Sequence, residues 1–79
     1  MMKIDGSSIG ERIKMLRQAK SLTQEELAIR AGLTKGFISQ VERNLTSLSV
    51  ESLIGILDAL DEKPSTFFDG AFDEKIVFR

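Results

Sequence analysis

The chain has no cysteine and no histidine, and it also lacks tryptophan and tyrosine. Without cysteine there is no disulfide and no thiolate metal site. Without histidine the commonest general base and metal ligand is missing. No Gly-rich phosphate loop is present, and Glu25-Glu26 reads as a helix-capping pair instead of two carboxylates in a cleft, so an enzyme is a poor reading. No apolar run approaches the roughly 18 residues of a membrane span, and residues 1–10 lack the apolar segment of a signal peptide. The expectation is a soluble, cytoplasmic protein, with no metal, no cofactor and no membrane partner. The missing cysteine fits a reducing compartment.

What remains is 79 residues, enough for one small domain whose stability must come from packing. The formal charge is −1 and the sequence pI is about 5.4. Composition alone would therefore argue against nucleic-acid binding, for which a domain pI above about 9 is the usual sign. The two parts of the chain differ, however. Residues 1–43 hold eight basic and five acidic side chains, and residues 44–79 hold three basic and seven acidic. The net value hides a polarised molecule.

Helix starts can be read from caps. Ser8-Ile9-Gly10-Glu11 has the form of a capping box, followed by Ile9, Ile13 and Leu16 at helical spacing, and predicts a helix to about Lys20. Thr23-Gln24-Glu25-Glu26 is a second such box, with Leu27, Ala28 and Ala31 on one face and Gly32 as the stop. Thr34 caps a third helix with apolar Phe37, Ile38 and Val41, ending near Arg43 with Asn44 past its end. Ser49 caps a fourth, in which Val50, Leu53, Ile54, Leu57 and Leu60 are expected inward. Pro64 suits the first position of a short fifth helix through Phe68. The end, KIVFR, reads as a short extended segment. The expected fold is all-α, a compact bundle of about five helices with an extended C-terminal tail.

Helices two and three are short and joined by a few residues around Gly32-Leu33, the format of a helix-turn-helix. Ala28 lets the second helix lie close, Gly32 permits the positive φ of the turn, and Ile38 and Val41 bury the back of the third helix. On its outward side Lys35, Gly36, Ser39 and Gln40 follow with no acid from 35 to 41. A free helix N-terminus is a natural neighbour for phosphate or base edges, and an acid there would repel them. Singly, Lys35 is an ordinary solvated lysine and Gly36 a tolerated cost of about 1 kcal/mol. Their joint placement carries the reading.

The stretch IGERIKMLRQAKSLTQEELAIRAGLTKGFISQVERN, followed by SVESLIGILDAL, resembles the Cro/C1-type helix-turn-helix family of phage and bacterial transcription regulators, densest in LTQEELA and ISQVER. It covers residues 9–68, with the helix-turn-helix unit at 23–43, an N-terminal arm at 1–8 and a linker or tail at 69–79. Ser21, Asn44 and Leu48 stand where the family often has glycine, glycine and proline; the last change leaves the loop at 45–47 less constrained. The resemblance implies a homodimer that binds double-stranded DNA on a pseudo-palindromic operator, with the third helix in the major groove, as a transcription regulator and repressor.

By similarity, Lys35, Gly36 and Gln40 are the base-reading positions and Ser39 a secondary one. Lysine donates to guanine, and glutamine can bind adenine bidentately. Gln24 is the first choice for a phosphate contact, with Thr34, Arg43, Asn44, Thr46 and Ser47 as further candidates. The family's matching arginine and glutamate imply an internal ion pair between Arg17 and Glu42, which together with Ala28, Gly32, Ile38 and Val41 form the structural set. Helix five, with Phe67, Phe68 and Phe72, is the candidate dimer surface. EKIVFR also resembles the lead-in to the β-type cupin sensor domain that some members carry; a frayed tail and a dimer strand are the other readings. The competing function is a protein-interaction module, such as an antitoxin-like or adaptor domain on the same fold, which the acidic pI favours.

Overall fold

The computed structural model describes residues 6–69, which form five helices: α1 (Gly6–Ala19), α2 (Gln24–Ala31), α3 (Lys35–Glu42), α4 (Val50–Ala59) and α5 (Pro64–Asp69). α2 packs against both α3 and α4, α1 against α3, and α5 against α4. Among the described residues no helix is long and apolar enough to cross a membrane. The expected C-terminal strand-like segment, Phe72 included, lies outside the described residues.

Local chemistry sets the boundaries. Thr23 accepts from the Glu26 N–H at 3.0 Å while the Glu26 side chain accepts from the Thr23 N–H at 2.8 Å, so the α2 capping box is complete. Thr34 and Ser49 cap α3 and α4 by the same hydroxyl-to-N3 bond. The other ends follow one pattern. After α1, α2, α3 and α4 the chain enters the left-handed region at Ser21 (φ 57°), Gly32 (φ 72°), Asn44 (φ 61°) and Asp61 (φ 58°). In each case the next residue's N–H reaches back to close the last turn: Leu22 to the Arg17 carbonyl, Leu33 to Ala28, Leu45 to Gln40 and Glu62 to Leu57.

Two expectations are corrected. α1 begins at Gly6, before Ser8, so Ser8 lies within the helix and is not its cap. The apolar stripe begins at Ile9 in either case, and periodicity could not place the start. Val50 and Ile54 face outward, 72% and 49% exposed, while Leu53, Ile56, Leu57 and Leu60 are buried. At about 100° per residue, including Ile56 swings the centre of the buried arc away from positions 50 and 54.

The core is Ile13, Leu27, Ala28, Ile38, Val41, Leu53, Ile56, Leu57, Leu60 and Phe67. Phe67 is fully buried, with Phe68 edge-on at 5.1 Å and the Arg12 guanidinium 5.2 Å above its ring. The candidate dimer surface on α5 therefore loses Phe67, which instead ties α5 to α1.

Among the described residues one ion pair lies inside. Arg17 Nε donates to Glu42 Oε2 at 2.6 Å and Nη2 to Oε1 at 3.1 Å, with side-chain exposures of 11% and 1%. Arg17 Nη1 also donates to the Leu22 carbonyl at 2.8 Å. The expected pairing of Arg17 with Glu42 is present, and it joins α1 to α3 across 25 positions. A second joint is steric. A Cβ on Gly10 would overlap the Val41 carbonyl oxygen and stand 2.5 Å from Asn44 Oδ1, so α1 and the end of α3 touch main chain to main chain.

Two outcomes follow for urea unfolding. Arg17→Ala should lower stability by about 3–5 kcal/mol, because it leaves the Glu42 charge buried and unpaired, whereas Arg17→Met combined with Glu42→Leu should recover most of the loss. Gly10→Ala should destabilise by about 1–3 kcal/mol through overpacking, although alanine is the better helix former. A stabilised Gly10→Ala protein would contradict the contact.

Candidate nucleic-acid interface

The two sides of α3 separate by chemistry. Taking Lys35 as the origin, Lys35, Ser39, Arg43, Gly36 and Gln40 fall within an arc of about 140°, and Phe37, Val41, Ile38 and Glu42 fall in the rest. The second group is inside: Ile38, Val41 and Glu42 are buried and Phe37 is half-buried against the core. In the first group Lys35, Gly36, Gln40 and Arg43 are exposed and Ser39 is half-buried. The structure thus brings all four expected base-reading positions onto one solvent-facing side, with Ser39 at its more enclosed edge.

The electrostatics of this face follow from what is paired behind it. The acid of α3, Glu42, points inward and is matched by Arg17. Outward, Lys35 and Arg43 remain, and the first turn has no acid, while α2 and α4 have Glu25, Glu26 and Glu51 in theirs. Thr34 accepts from the Phe37 N–H at 3.1 Å, which leaves the N–H groups of Lys35 and Gly36 at the open helix end. A Cβ at Gly36 would meet nothing within 4 Å, so its absence serves no internal packing. The backbone there is bare toward solvent.

The expected phosphate-binding residues flank this face without being equivalent. Thr34 sits at the N-cap, exposed, and its hydroxyl hydrogen remains available to an acceptor. Arg43 and Ser47 are exposed, and Thr46 is half-buried with its hydroxyl 3.4 Å from the Ser47 carbonyl. Asn44 is exposed in the left-handed region, but its Oδ1 lies over Gly10, so part of its side chain serves α1 packing. Asn44, Thr46 and Ser47, with Ile9, Gly10, Val41 and Leu48, line an open groove of about 410 Å³ between α1 and the α3–α4 loop. Leu48 also packs on the core and fastens the loop that lacks proline.

Gln24 is the position where structure adds most. It is half-buried at the start of α2, and its Nε2 donates to Glu42 Oε1 at 3.0 Å. Sequence reading assigned Gln24 outward and Glu42 inward and missed their bond. Nothing local signals a contact between residues 18 positions apart on different helices.

The structural residues stand where the helix-turn-helix spacing puts them. Ala28 is buried between helices, Gly32 carries the left-handed turn, and Ile38 and Val41 lie in the core.

Comparison with known proteins agrees with this geometry. A helix-turn-helix family model matches residues 13–67. The HTH-type transcriptional regulator SinR of Bacillus subtilis (strain 168) is 42% identical over 81 aligned positions, covering 87% of this chain and 73% of that protein. The restriction-modification controller protein C.AhdI from Aeromonas hydrophila superposes with a TM-score of 0.78 at 35% identity, over 84% of this chain and all of that one. The controller protein C.Esp1396I, solved as a tetramer in complex with its natural 35 base-pair operator, gives a TM-score of 0.79 at 35% identity, over 84% of this chain and 87% of that one. The family match spans both α2 and α3, and the chain belongs to the Cro/C1-type helix-turn-helix family of transcription regulators.

Proposed function

We propose that the protein is a dimeric, sequence-specific regulator of transcription that binds double-stranded DNA with α3 in the major groove and acts as a repressor in the cytoplasm. The observation that carries this is the outward side of α3: exposed Lys35, Gly36 and Gln40, open backbone N–H groups at its start, and its own acid turned inward onto Arg17. Lys35 and Gln40 read base edges, with Ser39 beside them. Arg43, Thr34, Ser47 and the loop at 44–47 hold phosphates and set the register. Two copies would place their α3 helices about 34 Å apart on a pseudo-palindrome.

The acidic pI favours the alternative of a protein-interaction module. That acidity resides mainly in residues 44–79 and not on the α3 face. A chain that binds no DNA at low salt while co-purifying with a protein partner would establish the alternative instead.

Selection from random duplex DNA, followed by fluorescence anisotropy and a mass measurement in solution, tests the proposal. Gln40→Ala and Lys35→Ala should each cost about 1–3 kcal/mol of discrimination at one base pair. Arg43→Ala should weaken binding evenly across sequences and reduce the slope of log K against log salt by about 1 per subunit.

Gly36→Ala offers the sharpest contrast. It should raise thermal stability, since alanine is the better helix former by about 1 kcal/mol and its methyl meets only solvent, yet it should weaken operator binding. Unchanged or tighter binding by Gly36→Ala would remove this turn from the interface.

A further inference from the structure

We infer that Glu42 is a positioning residue for DNA binding: its buried carboxylate, braced by Arg17, orients the side-chain amide of Gln24 so that the remaining amide N–H faces a DNA phosphate. The inference rests on the reading of the chain as a DNA-binding regulator. Gln24 Nε2 donates to Glu42 Oε1 at 3.0 Å, and the same oxygen accepts from Arg17 Nη2 at 3.1 Å. An ionised carboxylate only accepts hydrogen bonds. The Gln24 amide therefore has one permitted orientation, nitrogen toward Glu42 and oxygen away, because the reverse sets oxygen against oxygen.

The carboxylate cannot follow a rotation of the amide. Its second oxygen is held by Arg17 Nε at 2.6 Å, and Arg17 is itself anchored on the Leu22 carbonyl at 2.8 Å. The Glu42 side chain is 1% exposed, so water does not compete for it. The first amide hydrogen of Gln24 is thus consumed, and the second has no partner among the described residues. Gln24 lies at the start of α2, half-buried, with its outer side open to solvent. A phosphate arriving there would meet an amide that bridges two anions, with the Arg17 cation behind cancelling the inner one. The ion pair then does more than join helices. It removes the rotational choice that a free glutamine would lose on binding, which is preorganisation by a group that never touches DNA.

The experiment uses the duplex recovered by selection and four proteins: wild type, Gln24→Ala, Glu42→Gln and the double variant, compared by anisotropy. Gln24→Ala should weaken binding about tenfold, the scale of one hydrogen bond to a charged group. Replacing single phosphates by neutral methylphosphonates should find one position per half-site that weakens wild type and leaves Gln24→Ala unaffected. Glu42→Gln should weaken binding in the wild-type background and change nothing further in the Gln24→Ala background. Equal penalties in both backgrounds would make Glu42 purely structural and overturn the inference. So would the absence of any Gln24→Ala effect, while leaving DNA binding through α3 intact; a selection that returns no bound duplex overturns the underlying function instead.

Should Glu42→Gln fail to fold, nitrogen-edited NMR of the free wild type decides. One Gln24 side-chain amide proton should be shifted downfield and exchange slowly, and the other should behave as solvated. Two protons that both stand at the shifts of a free glutamine side chain and both exchange rapidly would overturn the inference.

Discussion

A single buried carboxylate joins the first three helices of this domain. Glu42 accepts from Arg17 on α1 and from Gln24 on α2 while belonging to α3, and Arg17 in turn fixes the α1–α2 loop at Leu22. Isolated inside an apolar core, such a charge would be strongly unfavourable, and paired on both oxygens it becomes a joint. The core supplies most of the cohesion through Ile38 and Val41 of α3. The ion pair adds hydrogen bonds, which are directional as well as cohesive.

That constraint also resolves the contradiction in the charge. A chain of pI about 5.4 can present a cationic surface if its acids lie elsewhere or are neutralised internally. Here α3 has its acid on the inner side, compensated by Arg17, so Lys35 and Arg43 set the potential on the outer side. Whole-molecule charge is an average over surfaces with different partners, and it is a poor guide to any one of them.

Much of the fold was legible because helix boundaries are local events. Thr23, Thr34, Ser49 and Pro64 announce their helices within a four-residue window, and Gly32 announces a left-handed turn. Asn44 and Asp61 perform the same turn with a side chain present and belong to types that tolerate it, whereas Ser21 carries no such local mark. The outward placement of Val50 and Ile54 was not legible because α4 carries more apolar positions than one face can hold, and the choice among them belongs to α2 and α5. Within the candidate site, the side of α3 that faces out followed from spacing, and the pairing of Arg17 with Glu42 followed from resemblance. The bond from Gln24 to Glu42 is a tertiary fact that neither spacing nor caps could report.

The bare backbone at Gly10 also ties two distant parts of the chain together. Main chain meets main chain there, with only the Asn44 amide beside the contact, so little soft material separates α1 from the end of α3. A methyl at position 10 would push that end outward and carry the neighbouring Arg43 with it. The absence of one carbon atom on α1 thereby helps to set where the cationic end of α3 stands.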